Sequence, residues 1–290
     1  MAKLVSIIIN CHNGEKFLDQ CIESIINQEY QNWEVIFWDN CSTDNSKKIF
    51  FKYMKKDNRF NYFYSEKLTN LSIARNLAIS KSQGQFICFL DVDDYWKSNK
   101  IKKQLKFIEE KNASLVFTNF EIENDLTKNK KISFKDDLEN IDLTDYLLKR
   151  YIVGCSTIMF DKKKIGELAF DSKYHIIGDF DFVMKNSLKK DTIGISDVLV
   201  KIKRHQNNET SRKFKLYTLE LLNWSNRNEK YFKKYKNFHI FKKSIFYEIA
   251  KVNLNENKFK RSLLFFKKTD IERKLKIIFY YFSKMLQNNQ

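Results

Sequence analysis

Phe86-Ile87-Cys88-Phe89-Leu90-Asp91-Val92-Asp93-Asp94 drops three carboxylates off the end of an apolar run of aromatic and branched residues. Such a run reads as a buried strand of an α/β sheet, and open sheets of that class hold their ligands at the carboxyl ends of the strands. Three neighbouring acids repel one another, and a hard divalent cation between them relieves the repulsion. Mg²⁺ or Mn²⁺ held by one or two carboxylates completes its shell with phosphate oxygens, so a strand-end Asp-x-Asp points to a metal and a diphosphate. The same triplet also suits a solvated turn, or a helix cap at Asp94 ahead of Tyr95-Trp96.

Outward from this stretch, strand and helix patterns alternate. Leu4 to Asn10 and Trp33 to Trp38 read as strands, and Asn61 to Tyr64 as a short one. Glu15 to Asn27 has helical spacing in Phe17, Leu18, Ile22, Ile25 and Ile26. Thr43 to Lys56 follows a Ser42/Thr43/Asp44 cap, and Leu71 to Ser82 is a helix closed by Gly84 before the strand Gln85 to Leu90. This order predicts parallel strands with right-handed crossovers, a Rossmann-like sheet flanked by helices. Because such a fold supports many chemistries, function is sought at the strand ends.

Three strand ends matter together: Asn10-Cys11-His12-Asn13-Gly14, Asp39-Asn40-Cys41-Ser42-Thr43-Asp44 and Asp91-Val92-Asp93-Asp94. On adjacent parallel strands they line one crevice. Asp39 suits the imide N–H of a uracil ring, the short polar residues Asn10, His12 and Asn13 can close on base and ribose, and Arg75 supplies a cation for a diphosphate.

Composition frames these motifs. Hydrophobic residues make up 43% and charged residues 31% of 290, a globular balance with room for one substantial core and an appendage. No run approaches the roughly 20 apolar residues of a membrane span, and Met1-Ala2-Lys3-Leu4 lacks the apolar core of a signal peptide, so a cytoplasmic protein is expected. Cys11, Cys21, Cys41, Cys88 and Cys155 are odd in number, show no C-x-x-C spacing, and read as reduced. Residues 212–290 hold 20 Lys and Arg against 6 acids, so nearly all of the net charge of +17 lies there. A boundary is therefore expected near Ser211, between a balanced domain and a part suited to an anionic surface.

Val5-Ser6-Ile7-Ile8-Ile9-Asn10-Cys11-His12-Asn13-Gly14, Ile25-Ile26-Asn27-Gln28-Glu29-Tyr30, Trp38-Asp39-Asn40-Cys41-Ser42-Thr43-Asp44, Ala74-Arg75-Asn76-Leu77-Ala78 and Phe89-Leu90-Asp91-Val92-Asp93-Asp94 together resemble the family 2 inverting glycosyltransferases. Five blocks in order are far more specific than any one motif. The resemblance implies a GT-A fold, a mixed and mainly parallel sheet, and a nucleotide-sugar donor whose diphosphate is bridged by Mn²⁺ or Mg²⁺. It implies Asp39 at the base, Asp91 at the ribose or metal, and Asp93 as direct metal ligand. The chain departs from the family where Asn10-Cys11-His12-Asn13 replaces a Pro or Ala then Thr-Tyr-Asn, and where Asp39-Asn40-Cys41 replaces Asp-Asp-Gly.

Further along, Gly154-Cys155-Ser156-Thr157-Ile158-Met159-Phe160 suits an acceptor-side strand, and Gly178-Asp179-Phe180-Asp181-Phe182-Val183 opens an apolar helix. The resemblance implies Asp179 as catalytic base; the residues alone equally suit a helix cap. Lys203-Arg204-His205-Gln206-Asn207-Asn208-Glu209-Thr210-Ser211 is similar to a family segment in which a His approaches metal or diphosphate. There His205 is a candidate metal ligand and Arg204 a candidate for steadying the leaving phosphate.

The expected organisation is a glycosyltransferase domain at 1–211, with a nucleotide-sugar half at 1–120 and an acceptor half at 121–211, then a basic helical extension at 212–290. In that extension Ile271, Leu275, Ile278, Phe279, Phe282 and Met285 recur at helical spacing beside Arg273, Lys274, Lys276 and Lys284. This is either a helix docking on an anionic inner leaflet, where a lipid-linked acceptor is found, or one packed on its own domain. The Phe-, Tyr- and Lys-rich segment 231–268 suits either. The expected reaction is transfer from a UDP-sugar to a glycan or lipid-linked acceptor in surface-polysaccharide synthesis. Two alternatives stand beside it. A nucleotidyltransferase would want a Gly-rich phosphate loop where Cys11-His12-Asn13-Gly14 stands. A nucleic-acid-binding protein would explain +17 but not an acidic crevice, so no nucleic-acid partner is expected.

Overall fold

The computed structural model describes residues 3–125, 127–138, 140–165, 170–205 and 208–288, with side chains to 281. The chain divides into two units, Met1–Leu143 with Ile152–Gln206, and Thr144–Tyr151 with Asn207–Gln290. The first contains β1 (Val5–Cys11), α1 (Leu18–Ile26), β2 (Trp33–Asp39), α2 (Ser46–Met54), β3 (Phe60–Tyr64), α3 (Leu71–Ser80), β4 (Phe86–Phe89), β5 (Tyr95–Trp96), α4 (Lys100–Glu110), β6 (Leu115–Asn124) and β7 (Lys130–Ile132). After α5 (Leu143–Lys149) it resumes with a 3-10 turn at Cys155–Thr157, β8 (Ile158–Asp161), α6 (Lys162–Ile165), α7 (Gly178–Ser187) and β9 (Thr192–Arg204).

The described strands form one sheet in the order β3-β2-β1-β4-β8-β6-β9-β5, with β7 paired to β6. β3, β2, β1 and β4 run parallel, as the alternation of strand and helix requires. β8 enters antiparallel between β4 and β6, while β6 and β9 pair in parallel over a long, bulged register. The central strands are buried on both faces, which is why they read as continuous apolar runs instead of alternating ones. The core beneath them gathers Ile7, Ile9, Val35, Phe37, Cys88 and Met159 from the sheet with Leu18, Ile22 and Ile25 from α1.

Helix ends differ in detail from the sequence expectation. α2 begins at Ser46, because Asp44 spends its carboxylate on the amides of Ser46 and Glu15 and so shapes the turn ahead of the helix. α3 ends at Ser80, and Gly84 does not cap it: a Cβ there would lie 2.7 Å from the Ser6 amide nitrogen, so the glycine allows a close approach to β1. All five cysteines are free.

The second unit contains most of α5 with α8 (Glu209–Arg212), α9 (Phe214–Arg227), α10 (Glu229–Phe232), α11 (Phe238–Asn255), α12 (Phe259–Phe266) and α13 (Ile271–Asn288). Trp224 is buried there with its ring 4.8 Å from Phe232 and edge-on to Phe241 at 5.8 Å. Asp145 ties α5 to the start of α11 by accepting the Asn237 amide at 2.7 Å. A second cluster packs Ala250 and Leu254 of α11 against Ile277 of α13. Among the described residues no helix is long and apolar enough to cross a membrane.

Phe37 is fully buried and stacks on Phe50 at 4.2 Å, tying β2 to α2. Phe37→Ala should remove about 3–5 kcal/mol of stability, read as a lower urea midpoint with an unchanged slope.

Candidate active site

Asp39 closes β2, buried, with both carboxylate oxygens engaged. Oδ1 accepts the Ser42 amide at 2.8 Å and Oδ2 accepts the Tyr62 hydroxyl at 2.7 Å. Tyr62 was absent from the sequence expectations; its only signal is its place on the same alternating face of β3 as buried Phe60. Burial, then the neighbouring Asp39 charge, raises the Tyr62 phenol above its usual range and keeps it a donor.

The loops after β1 and β2 brace each other. Asn40 donates its amide N–H to the Cys11 carbonyl at 2.7 Å, and His12 Nδ1–H donates to the Asn40 carbonyl at 3.0 Å. Asn13, at φ 58°, accepts the Thr43 amide on Oδ1 and donates its own N–H to Ser42 Oγ. Asn13 thus shapes the loop pair through its side chain. Cys41, where the family pattern has glycine, adopts φ 65°, a left-handed backbone that glycine accepts without strain. Asn10 Nδ2 is buried without a hydrogen-bond partner.

At the end of β4 the three acids separate into different roles. Asp94 turns inward: Oδ2 accepts the Ser156 hydroxyl at 2.6 Å and Oδ1 the Lys203 amide at 3.3 Å. Burial, then the charges of Asp93 and Asp91, pushes its carboxyl well above the ordinary range, as suits a structural brace. Asp93 meets His205, Oδ2 to Nε2 at 3.0 Å, and that imidazole stacks on Phe17 with centroids 5.1 Å apart. Asp91 lies 3.4 Å from Arg75 Nη2. Arg204 ends β9 with its side chain exposed.

Arg75 is the buried cation of this region. Its side chain is 5% exposed, and its guanidinium lies 5.8 Å from the Phe89 ring and 5.4 Å from the Phe170 ring. Burial opposes its charge, but the neighbouring anionic groups, Asp91 and Asp179 among them, outweigh that and hold it protonated. Asp91, still 38% exposed along its side chain, is pushed up to about 6: the surrounding protein raises it, Arg75 pulls down, and Asp93 and Asp179 push up again. Asp179 sits in the first turn of α7, Oδ1 accepting the Phe180 amide at 2.8 Å. Burial raises its carboxyl and Arg75 opposes the rise.

α3 carries more than Arg75. Asn70 Nδ2 donates to the Ser172 carbonyl, Ser72 Oγ to the Tyr174 carbonyl, and Asn76 Nδ2 to the Phe170 carbonyl. These clasps hold the segment leading to Asp179, and a Cβ on Gly178 would strike Ser72 Oγ. No local pattern signals this pairing, because both sides lie in polar loop or helix-surface patterns about a hundred residues apart.

Among the described residues no three His, Cys, Asp or Glu side chains form a ready-made metal cage. The donor chemistry still fits a hard divalent cation. Asp93 and His205 offer an oxygen and a nitrogen side by side, the repulsion felt by Asp91 is what a cation relieves, and ligand phosphates commonly fill the remaining positions.

Residues 6–166 match the profile described as Glycosyl transferase family 2. The chain is 34% identical over 167 residues to the putative teichuronic acid biosynthesis glycosyltransferase TuaG of Bacillus subtilis (strain 168), covering 57% of this chain and 65% of TuaG. It is 31% identical over 217 residues to the Escherichia coli UDP-Glc:alpha-D-GlcNAc-diphosphoundecaprenol beta-1,3-glucosyltransferase WfgD, covering 73% of this chain and 81% of WfgD. In structure it is similar to S. aureus TarS 1-349 in complex with UDP-GlcNAc, with a TM-score of 0.61 and 20% identity over 93% of this chain and 77% of that one. At that identity the likeness shows the fold, a GT-A arrangement, as the family resemblance implied.

The raised Asp91 carboxyl has a definite sign. An unfolded Asp titrates near ~3.9, so between about pH 4 and pH 6 the folded chain holds this proton more tightly than the unfolded chain does. Its contribution to stability is therefore full at lower pH and is lost as pH rises through about 6. Asp91→Asn should flatten the fall in urea midpoint across that window; an unchanged slope in the variant would assign the effect elsewhere.

Proposed function

We infer the reaction of this chain from one premise: it belongs to glycosyl transferase family 2. As a glycosyltransferase it is proposed to move a sugar from a nucleotide-sugar donor, a UDP-sugar, to a hydroxyl of a lipid-linked glycan in surface-polysaccharide synthesis. The observation that carries this reading is the buried Arg75 with Asp91 and Asp179 sharing its charge, beside the Asp93–His205 pair. The UDP-GlcNAc in the TarS complex supports the donor class, and the diphosphoundecaprenol substrate in the name of WfgD supports a lipid-linked acceptor. Such an acceptor would be met at the cytoplasmic face of a membrane.

In the proposed mechanism Asp39, fixed by Tyr62 and Ser42, accepts the imide N–H of uracil. Asn10 Nδ2 supplies a hydrogen bond to base or ribose, and His12 and Asn13 set the shape of that wall. Asp93 and His205, with Asp91 beside them, would hold Mn²⁺ or Mg²⁺, which when bound neutralises charge on the leaving diphosphate. Arg204, exposed at the end of β9, would steady the same phosphates. Asp179 takes the proton from the acceptor hydroxyl as that oxygen attacks the anomeric carbon; the carbon–diphosphate bond breaks with its electron pair, and the configuration inverts. Burial makes Asp179 a stronger base than an exposed carboxylate, and Arg75 offsets part of that rise.

The two carboxylates separate in kinetics. Asp179→Asn should lower kcat by about 10²–10⁴ and leave the donor dissociation constant within about twofold. Asp93→Ala should abolish metal-dependent donor binding. Isothermal titration with the UDP-sugar alongside turnover assays checks both, and equal loss of donor affinity in the two variants would break the division of roles.

A further inference from the structure

α13 is apolar on two opposite faces, and the second unit buries only one of them. Ile277 packs on Ala250 and Leu254 of α11, with Tyr280 and Tyr281 partly buried beside it. On the other side Ile271, Leu275 and Phe279 stand 78%, 62% and 77% exposed, and Ile278 is exposed with them. Spacing of four, three and one residues puts these four on a single stripe of the helix. α12 repeats the arrangement: Ser262 bonds to the Ala250 carbonyl inside, while Phe259, Leu263 and Leu264 are exposed outside. Phe282 and Met285, expected on this stripe, and Lys284 beside it have side chains outside the described residues.

The exposed apolar residues lie in a cationic setting. Residues 258–276 carry eight Lys and Arg against two acids. Lys258, Arg273 and Lys276 are paired with Glu256, Asp270 and Glu272, whereas Lys260, Arg261 and Lys267 have no acidic partner within ion-pair distance among the described residues. An open groove of about 460 Å³ is lined by Tyr247 and Lys251 of α11 and by Leu275, Lys276, Phe279 and Tyr280 of α13, with Lys251 paired to Glu248 and Lys276 to Glu272.

We propose that the outward faces of α12 and α13 form a docking surface for an anionic phospholipid bilayer, with Leu275 and Phe279 entering the headgroup region and Lys260, Arg261 and Lys267 meeting lipid phosphates. Charge complementarity selects this occupant. A second copy of the chain would set the same cationic patch against itself, and a neutral apolar partner would leave the surplus of cations unanswered. Leucine, isoleucine and phenylalanine between lysines are the composition of helices that lie in a membrane interface. The surface is independent of the donor crevice, so its failure leaves the transferase reading untouched.

The test is co-sedimentation of the full chain with vesicles of phosphatidylcholine alone or with phosphatidylglycerol added. Binding is expected only with the anionic lipid and is expected to weaken with salt. Leu275→Glu with Phe279→Glu should lower the bound fraction about tenfold with nucleotide binding unchanged. Should that variant fold poorly by circular dichroism, Lys260→Gln, Arg261→Gln and Lys267→Gln together lie at exposed positions and should weaken anionic-vesicle binding alone. Equal pelleting with both lipids, no pelleting, or self-association without vesicle binding would each overturn the proposal.

Discussion

The guanidinium of Arg75 is the charge on which the crevice depends. A buried arginine is stable only when its charge is answered, and a carboxylate beside two others is tolerable only near a cation. Arg75, enclosed near Phe89 and Phe170, meets Asp91 directly and acts on Asp179 through the field it sets up. The same helix that carries it clasps residues 170–174 through Asn70, Ser72 and Asn76. One helix therefore sets both the wall where a donor diphosphate would lie and the approach to the proposed base. Loss of Arg75 would leave Asp91 and Asp179 in a partly dry pocket with no cation to offset them.

Much of this was legible in the chain. The apolar runs of β1, β2 and β4, each ending on polar residues, declare buried parallel strands whose ends share one crevice, because only strands covered on both faces read that way. Asp39, Asp91 and Asp93 stand out because acids at strand ends are chemically conspicuous, whereas His205 is singled out only by the resemblance of its segment to the family. What stayed hidden has a common character. β8 enters antiparallel between β4 and β6, and no local pattern in Ile158–Asp161 encodes direction. Tyr62 reads as an ordinary strand aromatic until β3 is laid beside β2. Asp94 reads from the sequence as a helix cap ahead of Tyr95-Trp96, yet Ser156 and the Lys203 amide take both its oxygens. Long-range partners decide these roles, and periodicity carries no information about them.

Charge divides the chain as clearly as folding does. The first unit uses its acids locally, as braces, clamps and candidate ligands, while the second carries a surplus of cations on helices whose inward faces already have partners. A helix with apolar residues on two faces has sequence left over after its own core is satisfied. In the basic extension that remainder is the part of the molecule without an explanation in folding.

Every proposed role of the strand-end residues requires the crevice to be a nucleotide–metal site. The most direct measurement is the melting temperature of the purified chain with UDP, GDP, CDP and dTDP, each with and without Mn²⁺, since a ligand that binds only the native state raises stability by mass action. A rise with UDP that requires the metal is the predicted result. No rise with any nucleotide at millimolar concentration, or a rise indifferent to both base and metal, would contradict it.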